Sequence, residues 1–181
     1  MLEQLVISGF GGQGILFIGQ LLGYAAALED RMVTYLPSYG PEMRGGTANC
    51  TVTISDGRIM SPLAANPSAA IVMNLPSLDR FEPNLKTNGL LVVNSSMIDR
   101  KPHRSDIRII EVPATHIAEE LKNTRLANVV ALGCYVRASG VVAPESVVSA
   151  LPKMLGDDRK ELIPLNIEAF RAGLEWGGTN S

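Results

Sequence analysis

Apolar residues follow two different periods along this chain. Short runs of aliphatic and β-branched residues, typical of strands, are separated by longer segments in which apolar residues recur every three or four positions, as in helices. The predicted strands are residues 4–8, 32–36, 47–54, 69–73, 90–94 and 108–112. The predicted helices are residues 15–28, 77–85, 115–122, 127–138, 144–154 and 162–176. The helix at 144–154 begins with proline, which favours the first turn.

The order of these elements predicts an α/β fold. The first strand, helix and second strand form a right-handed βαβ unit, in which the two strands are parallel. Residues 47–54 alternate between apolar and polar, which suggests a strand covered on one side, and Asp56-Gly57 then favours a hairpin or antiparallel edge pair with residues 59–60. We expect a Rossmann-like, mostly parallel sheet flanked by helices with an antiparallel addition, forming one domain over residues 1–176, and a mobile tail at 177–181.

Composition narrows the class of protein. The chain has 181 residues, of which 46% are hydrophobic and 19% charged, which suits one domain with a substantial core. Its net charge of -2 gives no electrostatic reason to expect nucleic acid or an anionic membrane as a partner. No basic segment opens the chain, and no apolar run reaches the roughly 18 residues of a membrane span, so we expect a cytoplasmic protein.

Cysteine and histidine offer no metal site. Cys50 and Cys134 belong to no C-x-x-C pair, so we expect no iron–sulfur cluster or structural zinc, and both thiols should be buried as small apolar groups. His103 and His116 are isolated, and each is expected at the surface or beside a helix.

A glycine-rich stretch joins the first strand to the first helix. It contains G-x-G-x-x-G as Gly9, Gly11 and Gly14, and its position offers helix N–H groups to an anion. A dinucleotide site would also need a carboxylate at the end of the second strand, where this chain has Leu-Pro-Ser at 36–38. Two other readings stay open: a tight turn with close helix packing, or contact with a phosphate-like group or a partner surface. Gln13 adds a neutral amide there.

A second unusual stretch, PSYGPEMRGGTANC, occupies residues 37–50. Its prolines and glycines predict a connection longer than the usual loop between a strand and a helix. Arg44 stands beside two glycines and could present its guanidinium to a phosphate or carboxylate, or could pair with Glu42. The residues alone leave both readings open.

Three stretches together resemble the gamma subunit of 2-oxoacid:ferredoxin oxidoreductases, the family of pyruvate, 2-oxoglutarate and ketoisovalerate oxidoreductases. They are GFGGQG at 9–14, SYGPEMRGG at 38–46 and LANVVALGCYVRASG at 126–140. The resemblance implies an enzyme complex that converts a 2-oxoacid and coenzyme A to acyl-CoA and carbon dioxide and passes electrons to ferredoxin. It also implies alpha and beta subunits and a ferredoxin-like delta subunit as partners.

The resemblance further implies how the work is divided. This chain lacks the Gly-Asp-Gly and downstream Asn that similar enzymes use for magnesium and thiamine diphosphate, and it has too few cysteines for a cluster. We therefore expect no catalytic residue here, with thiamine diphosphate, Mg and iron–sulfur clusters in partner subunits. By similarity, the chain packs on the thiamine-binding subunits and helps to form the coenzyme A site. The expected site residues are Gly11, Gly12, Gln13, Gly14, Tyr39, Arg44, Gly45 and Gly46.

Two alternatives to this reading remain. Glycine-rich turns with a nearby aromatic residue, methionine and arginine also suit a protein interface, so the chain could be an assembly subunit without a small-molecule site. A stand-alone nucleotide-binding domain conflicts with the missing ribose carboxylate and with the lack of an acid–base pair. No residue identifies the 2-oxoacid, and overall resemblance leans slightly to 2-oxoglutarate.

Overall fold

The computed structural model describes residues 1–38, 47–61 and 63–179. Six strands occur in these ranges: β1 Leu2–Phe10, β2 Met32–Ser38, β3 Thr47–Ser55, β4 Ala69–Val72, β5 Leu90–Asn94 and β6 Arg108–Val112. The α-helices of the same ranges are α1 Ile15–Leu28, α2 Leu75–Phe81, α3 Ala114–Glu120, α4 Ala127–Ser139, α5 Pro144–Leu155 and α6 Ile163–Thr179. Short 3₁₀ segments cover Glu82–Asn84, Thr124–Leu126 and Asp157–Leu162.

The strands form one mixed sheet in the order β2-β3-β1-β4-β5-β6. Strands β1, β4, β5 and β6 are parallel, whereas β3 pairs antiparallel with both β1 and β2. This arrangement confirms the predicted α/β fold with a mostly parallel sheet and an antiparallel addition. Strands β1 and β2 run in the same direction, as the βαβ unit predicts, but β3 lies between them.

The predicted hairpin after β3 is wrong. Residues 59–60 form no strand, and β3 is an interior strand with partners on both edges. Its polar face is largely covered as well, since Asn49, Thr53 and Ser55 are all buried. The alternation of side chains reports which face each residue takes, but it does not report which strands supply the backbone hydrogen bonds.

The two faces of the sheet carry unequal layers. Helices α1, α3, α4, α5 and α6 cover one face and form the larger core, to which Leu5, Ile7 and Val92 contribute. The other face has a smaller core that includes Val72 and Leu78 and is covered by α2. The helix after β1 and the helix after β4 therefore pack on opposite faces. Such a switch point opens a crevice at the carboxyl ends of β1 and β4.

Helices α4 and α6 pack in the same direction with their backbones in contact. A Cβ on Gly173 would overlap the carbonyl oxygen of Val130, and a Cβ on Gly177 would lie 2.7 Å from the carbonyl oxygen of Cys134. The contacts advance together along both helices, so the helices are parallel. Helix α6 continues to Thr179, beyond its predicted end at Trp176, whose indole N–H donates to the Glu111 carbonyl at 2.9 Å.

The isolated cysteines and histidines lie where the sequence predicts. Both Cys50 and Cys134 are buried, and burial raises the pKa of each thiol to about 12. His103 and His116 are exposed, the latter in the first turn of α3. Within the described ranges, no helix combines the length and apolar character needed to cross a membrane.

Candidate functional site

The glycine-rich loop leaves β1 at the carboxyl edge of the sheet and enters α1. Gly12 and Gly14 both adopt the left-handed conformation, with φ of +87° and +69°. The Gln13 side chain turns back, and its Oε1 accepts a hydrogen bond from the Phe10 N–H at 2.6 Å. The Gln13 N–H in turn donates to the Phe10 carbonyl at 3.2 Å. Gln13 therefore fixes the turn rather than projecting its amide towards a ligand.

The glycines of this loop serve two distinct purposes. A Cβ on Gly9 would lie 2.5 Å from Gln13 Oε1 and 2.9 Å from Met73 Cβ, and a Cβ on Gly14 would overlap the Asn128 amide. Both positions therefore need glycine for close packing. A Cβ on Gly12 would have no atom of the described residues within 4 Å. Gly12 is therefore an exposed position of the loop, where a ligand or partner can approach the backbone.

Asn128 anchors this loop and was missed by the sequence reasoning. It stands in the first turn of α4, is 4% exposed, and donates from Nδ2 to the Gly14 carbonyl at 3.0 Å. Its Oδ1 accepts from the Val129 N–H at 2.9 Å. The only sequence signal was an amide inside an otherwise apolar helical run. The contact joins residues 114 positions apart, which no local pattern reveals.

The N-terminus of α1 suits an anion. No side chain of the described residues caps it, and its first turn holds no acidic residue. The amide dipoles of this 14-residue helix place partial positive charge at the carboxyl edge of the sheet. Below it, the Tyr35 hydroxyl donates to the Leu16 carbonyl at 3.3 Å, and burial followed by the nearby Cys50 raises the pKa of Tyr35 to about 12. That phenol therefore stays neutral and structural.

The structure locates half of the predicted site residues. Gly11 and Gly12 are exposed and Gln13 and Gly14 partly exposed, all in the loop at the switch point. The other predicted residues, Tyr39, Arg44, Gly45 and Gly46, lie outside the described residues, as does Glu42. The segment that holds them, 39–46, is flanked by Ser38 and Thr47, which pair with Asn49 and Phe10 respectively. Ser38 and Thr47 therefore lie at the same edge of the sheet as the glycine loop.

A buried polar group lies at the end of β4 beside this edge. Asn74 Oδ1 accepts from the Ser77 N–H at 3.0 Å and so caps α2, while Ser77 Oγ is 2.8 Å from Ser8 Oγ. The Asn74 Nδ2 is buried and has no hydrogen-bond partner in the part of the chain that the structure describes. In residues 1–38, 47–61 and 63–179, no group of three His, Cys, Asp or Glu side chains could hold a metal ion.

These features define a doubly wound α/β domain whose glycine-rich loop presents open backbone and a helix N-terminus at the switch point. Residues 4–176 match the family model described as pyruvate ferredoxin/flavodoxin oxidoreductase, and the chain belongs to this family.

Curated relatives in methanogens agree with this assignment. The chain is 36% identical over 176 residues to the ketoisovalerate oxidoreductase subunit VorA of Methanothermobacter marburgensis, covering 96% of this chain and 36% of the relative. It therefore spans just over a third of that relative's length. It is also 35% identical over 183 residues to the 2-oxoglutarate synthase subunit KorC of Methanocaldococcus jannaschii, covering 97% of this chain and 94% of that protein.

Solved structures show the same fold. The gamma subunit of a keto/oxoacid ferredoxin oxidoreductase from Geobacter sulfurreducens matches with a TM-score of 0.88 at 27% identity, over 99% of this chain and 98% of that chain. The 2-oxoglutarate:ferredoxin oxidoreductase of Magnetococcus marinus, solved with 2-oxoglutarate, coenzyme A and succinyl-CoA bound, matches with a TM-score of 0.89 at 21% identity. That match covers 99% of this chain and 32% of that chain. At this level of identity it supports the fold only.

Proposed function

We propose that this chain is the gamma-type part of a 2-oxoacid:ferredoxin oxidoreductase and helps to form its coenzyme A site. The complex oxidises a 2-oxoacid with coenzyme A to acyl-CoA and carbon dioxide and reduces ferredoxin. The single observation that supports the coenzyme A site most directly is the position of Gly12, whose backbone is open beside the uncapped N-terminus of α1 at the switch point. A phosphate-rich co-substrate suits such an edge.

The catalytic groups belong to other subunits in this proposal. The chain has two cysteines, which are buried in different elements, Cys50 in β3 and Cys134 in α4, whereas a cluster takes about four thiolate ligands. Thiamine diphosphate, Mg and the clusters therefore reside in the alpha, beta and ferredoxin-like delta subunits. The isolated chain is accordingly expected to be colourless and inactive.

The 2-oxoacid is proposed to be 2-oxoglutarate. The support is the likeness to KorC, which covers nearly the full length of both chains, whereas the similar identity to VorA covers only part of VorA. The test is anaerobic affinity purification of the native complex, followed by assays of coenzyme A-dependent oxidation of 2-oxoglutarate, pyruvate, 2-oxoisovalerate and arylpyruvates. A higher kcat/KM for 2-oxoglutarate than for every other acid supports the proposal, and a preference for another acid overturns this choice.

The coenzyme A site is tested at Gly12 in the assembled complex. Gly12→Asp places a carboxylate at the helix N-terminus and should raise the KM for coenzyme A about tenfold, because it repels the phosphates. Gly12→Asn is the matched control, since it has nearly the same shape and the same backbone demand without the charge. An equal rise in KM for both variants would assign the loop to packing. Weaker assembly of both variants, with an unchanged KM in the complex that still forms, would assign it to a subunit interface.

Arg44, in the segment 39–46, supplies a second test. Arg44→Ala should also raise the KM for coenzyme A, whereas Arg58→Ala removes an exposed guanidinium that follows β3 at the opposite edge of the sheet and should leave it unchanged. An unchanged KM for Arg44→Ala with intact assembly would remove Arg44 from the ligand set.

A further inference from the structure

A cleft of about 420 Å³ lies beside the glycine loop, on the far side of Asn128. It is bounded by the first turns of α1, α4 and α6 and by the C-terminal end of α5. We call it the arginine cleft, and the residues that matter for its chemistry are Phe17, Arg125, Leu126, Arg159, Leu162 and Asn166. Its volume is within the range of about 300–1,000 Å³ typical of small-molecule sites.

Three helices begin at this cleft. Helices α4 and α6 are parallel, so Leu126 before α4 and Asn166 in the first turn of α6 lie at the same end of the pair. The hydrogen bond from Asn128 to the Gly14 carbonyl brings the start of α1 to the same place. Helices α4 and α6 each continue from a 3₁₀ segment whose carbonyls accept hydrogen bonds from their first N–H groups. The positive charge of the cleft therefore comes from its side chains.

Two arginines add full positive charge. Arg125 and Arg159 are exposed, and neither forms an ion pair with a carboxylate of the described residues. Arg159 Nε donates to the Leu155 carbonyl at 3.2 Å, which positions the guanidinium and uses one of its five N–H donors. Acidic residues occur nearby in the 3₁₀ segment Asp157–Leu162, but none of them lines the cleft, and Asp157 pairs with Lys160 at 2.6 Å.

The rest of the wall is apolar, with one buried amide. Phe17, Leu126 and Leu162 supply the apolar surface. Asn166 is 6% exposed, and its Nδ2 donates to the Leu162 carbonyl at 2.8 Å, so that Oδ1 is available as an acceptor on the wall. An anion alone would leave the apolar wall in water, and an apolar molecule alone would leave the guanidinium groups unpaired.

We propose that the arginine cleft binds an organic phosphate whose remaining part is a flat or apolar group, as in an adenine nucleotide. The phosphates face Arg125 and Arg159, which suit them as bidentate donors, and the ring lies against the apolar wall near the Asn166 acceptor. This inference does not depend on the proposed function, because none of the residues that carry it belongs to the glycine loop.

The probe is ADP, titrated calorimetrically into the full chain. Arg125→Gln combined with Arg159→Gln should weaken ADP binding by about tenfold or more, since it removes two charge-assisted contacts. Arg171→Gln is the matched control, because it removes an exposed guanidinium further along α6 and should leave affinity unchanged. Inorganic pyrophosphate should bind about tenfold more weakly than ADP, because it cannot use the apolar wall.

Other outcomes overturn the proposal. The first two are undetectable ADP binding and equal ADP affinity in the double variant and the parent. The other two are equal affinities for pyrophosphate and ADP, and loss of ADP binding in the assembled complex because a partner covers the cleft. Since coenzyme A contains the same adenine and diphosphate groups, it is titrated in parallel. Tighter binding of coenzyme A that also depends on both arginines identifies it as the source, whereas equal binding identifies a free nucleotide. Gly12→Asp should leave ADP affinity unchanged, which separates the cleft from the glycine loop.

Discussion

Glycine is used at two places in this molecule for different reasons. In the contact between α4 and α6, Gly133 and Gly173 allow two helix backbones to touch. In the loop after β1, Gly14 combines a left-handed conformation with close packing on Asn128. Gly12 is also left-handed, but a Cβ there would contact no atom of the described residues. The comparison shows that a glycine motif is a mixture of packing and accessible positions. Only the accessible ones are available to a ligand.

The helix contact should tolerate substitution least. Gly173→Ala places a methyl group on the carbonyl oxygen of Val130, and since both helix backbones would have to separate, we expect a loss of about 3 kcal/mol or more in the free energy of unfolding. Chemical denaturation measures it. Gly57→Ala is the control, because a Cβ there lies more than 4 Å from every atom that the structure describes outside its chain neighbours, and it should change stability by less than about 0.5 kcal/mol. Equal stability of the two variants would contradict the backbone contact.

Substitution of Gly14, the packed glycine of the loop, should cause the next largest loss of stability. Gly14→Ala combines unfavourable positive φ with overlap on the Asn128 amide, and we expect a loss of about 2–3 kcal/mol. Adding Asn128→Ala relieves the overlap and removes the side-chain donor to the Gly14 carbonyl, which still accepts from the Ile18 N–H at 3.2 Å. The double variant should therefore be more stable than the sum of the two single losses indicates. Additive losses would show that the two residues do not interact.

The two thiols allow both regions to be compared in one titration, since Cys50 lies below α1 and Cys134 in the α4–α6 contact. Each thiol has a pKa of about 12 in the folded chain against 9.0 ordinarily, so the unfolded chain releases these protons first. Stability from the neutral thiols is complete below pH 9 and is lost as the pH rises towards 12. At about pH 10 the loss should reach about 1 kcal/mol for each thiol.

Unfolding free energies at pH 8 and pH 10 measure this loss in the parent chain and in variants with Cys50→Ala, Cys134→Ala or both. Each substitution should remove about half of the pH-dependent loss attributable to the thiols, about 1 kcal/mol. If the double variant loses as much stability as the parent between these pH values, the thiols are not the groups responsible.

The open glycine should show the smallest effect on stability. Gly12→Ala meets no steric neighbour among the described residues and bears only the cost of positive φ, about 1 kcal/mol. Thermal or denaturant unfolding measures it. A loss as large as that of Gly14→Ala would remove the distinction between packed and accessible glycines on which the candidate site depends.

The sequence by itself determined the elements. Residues 15–28, 90–94 and 108–112 were predicted with the bounds that the structure shows, and the loop was recognised as a helix entry. These features depend on the spacing of apolar side chains and on the backbone conformations that glycine allows, and both are properties of residues close together in the chain. The family resemblance also followed from short motifs and their order, and the matched residues 4–176 confirm it.

Only the tertiary structure decided which elements meet. The alternation in β3 could not show that this strand lies between β1 and β2, because backbone pairing leaves no mark on side-chain period. Nor could local patterns show that Asn128 holds Gly14, or that α4 and α6 begin at one end and create the arginine cleft. Those contacts depend on how distant segments fill a shared core, and the free energy of that packing is not encoded in any single stretch of the chain.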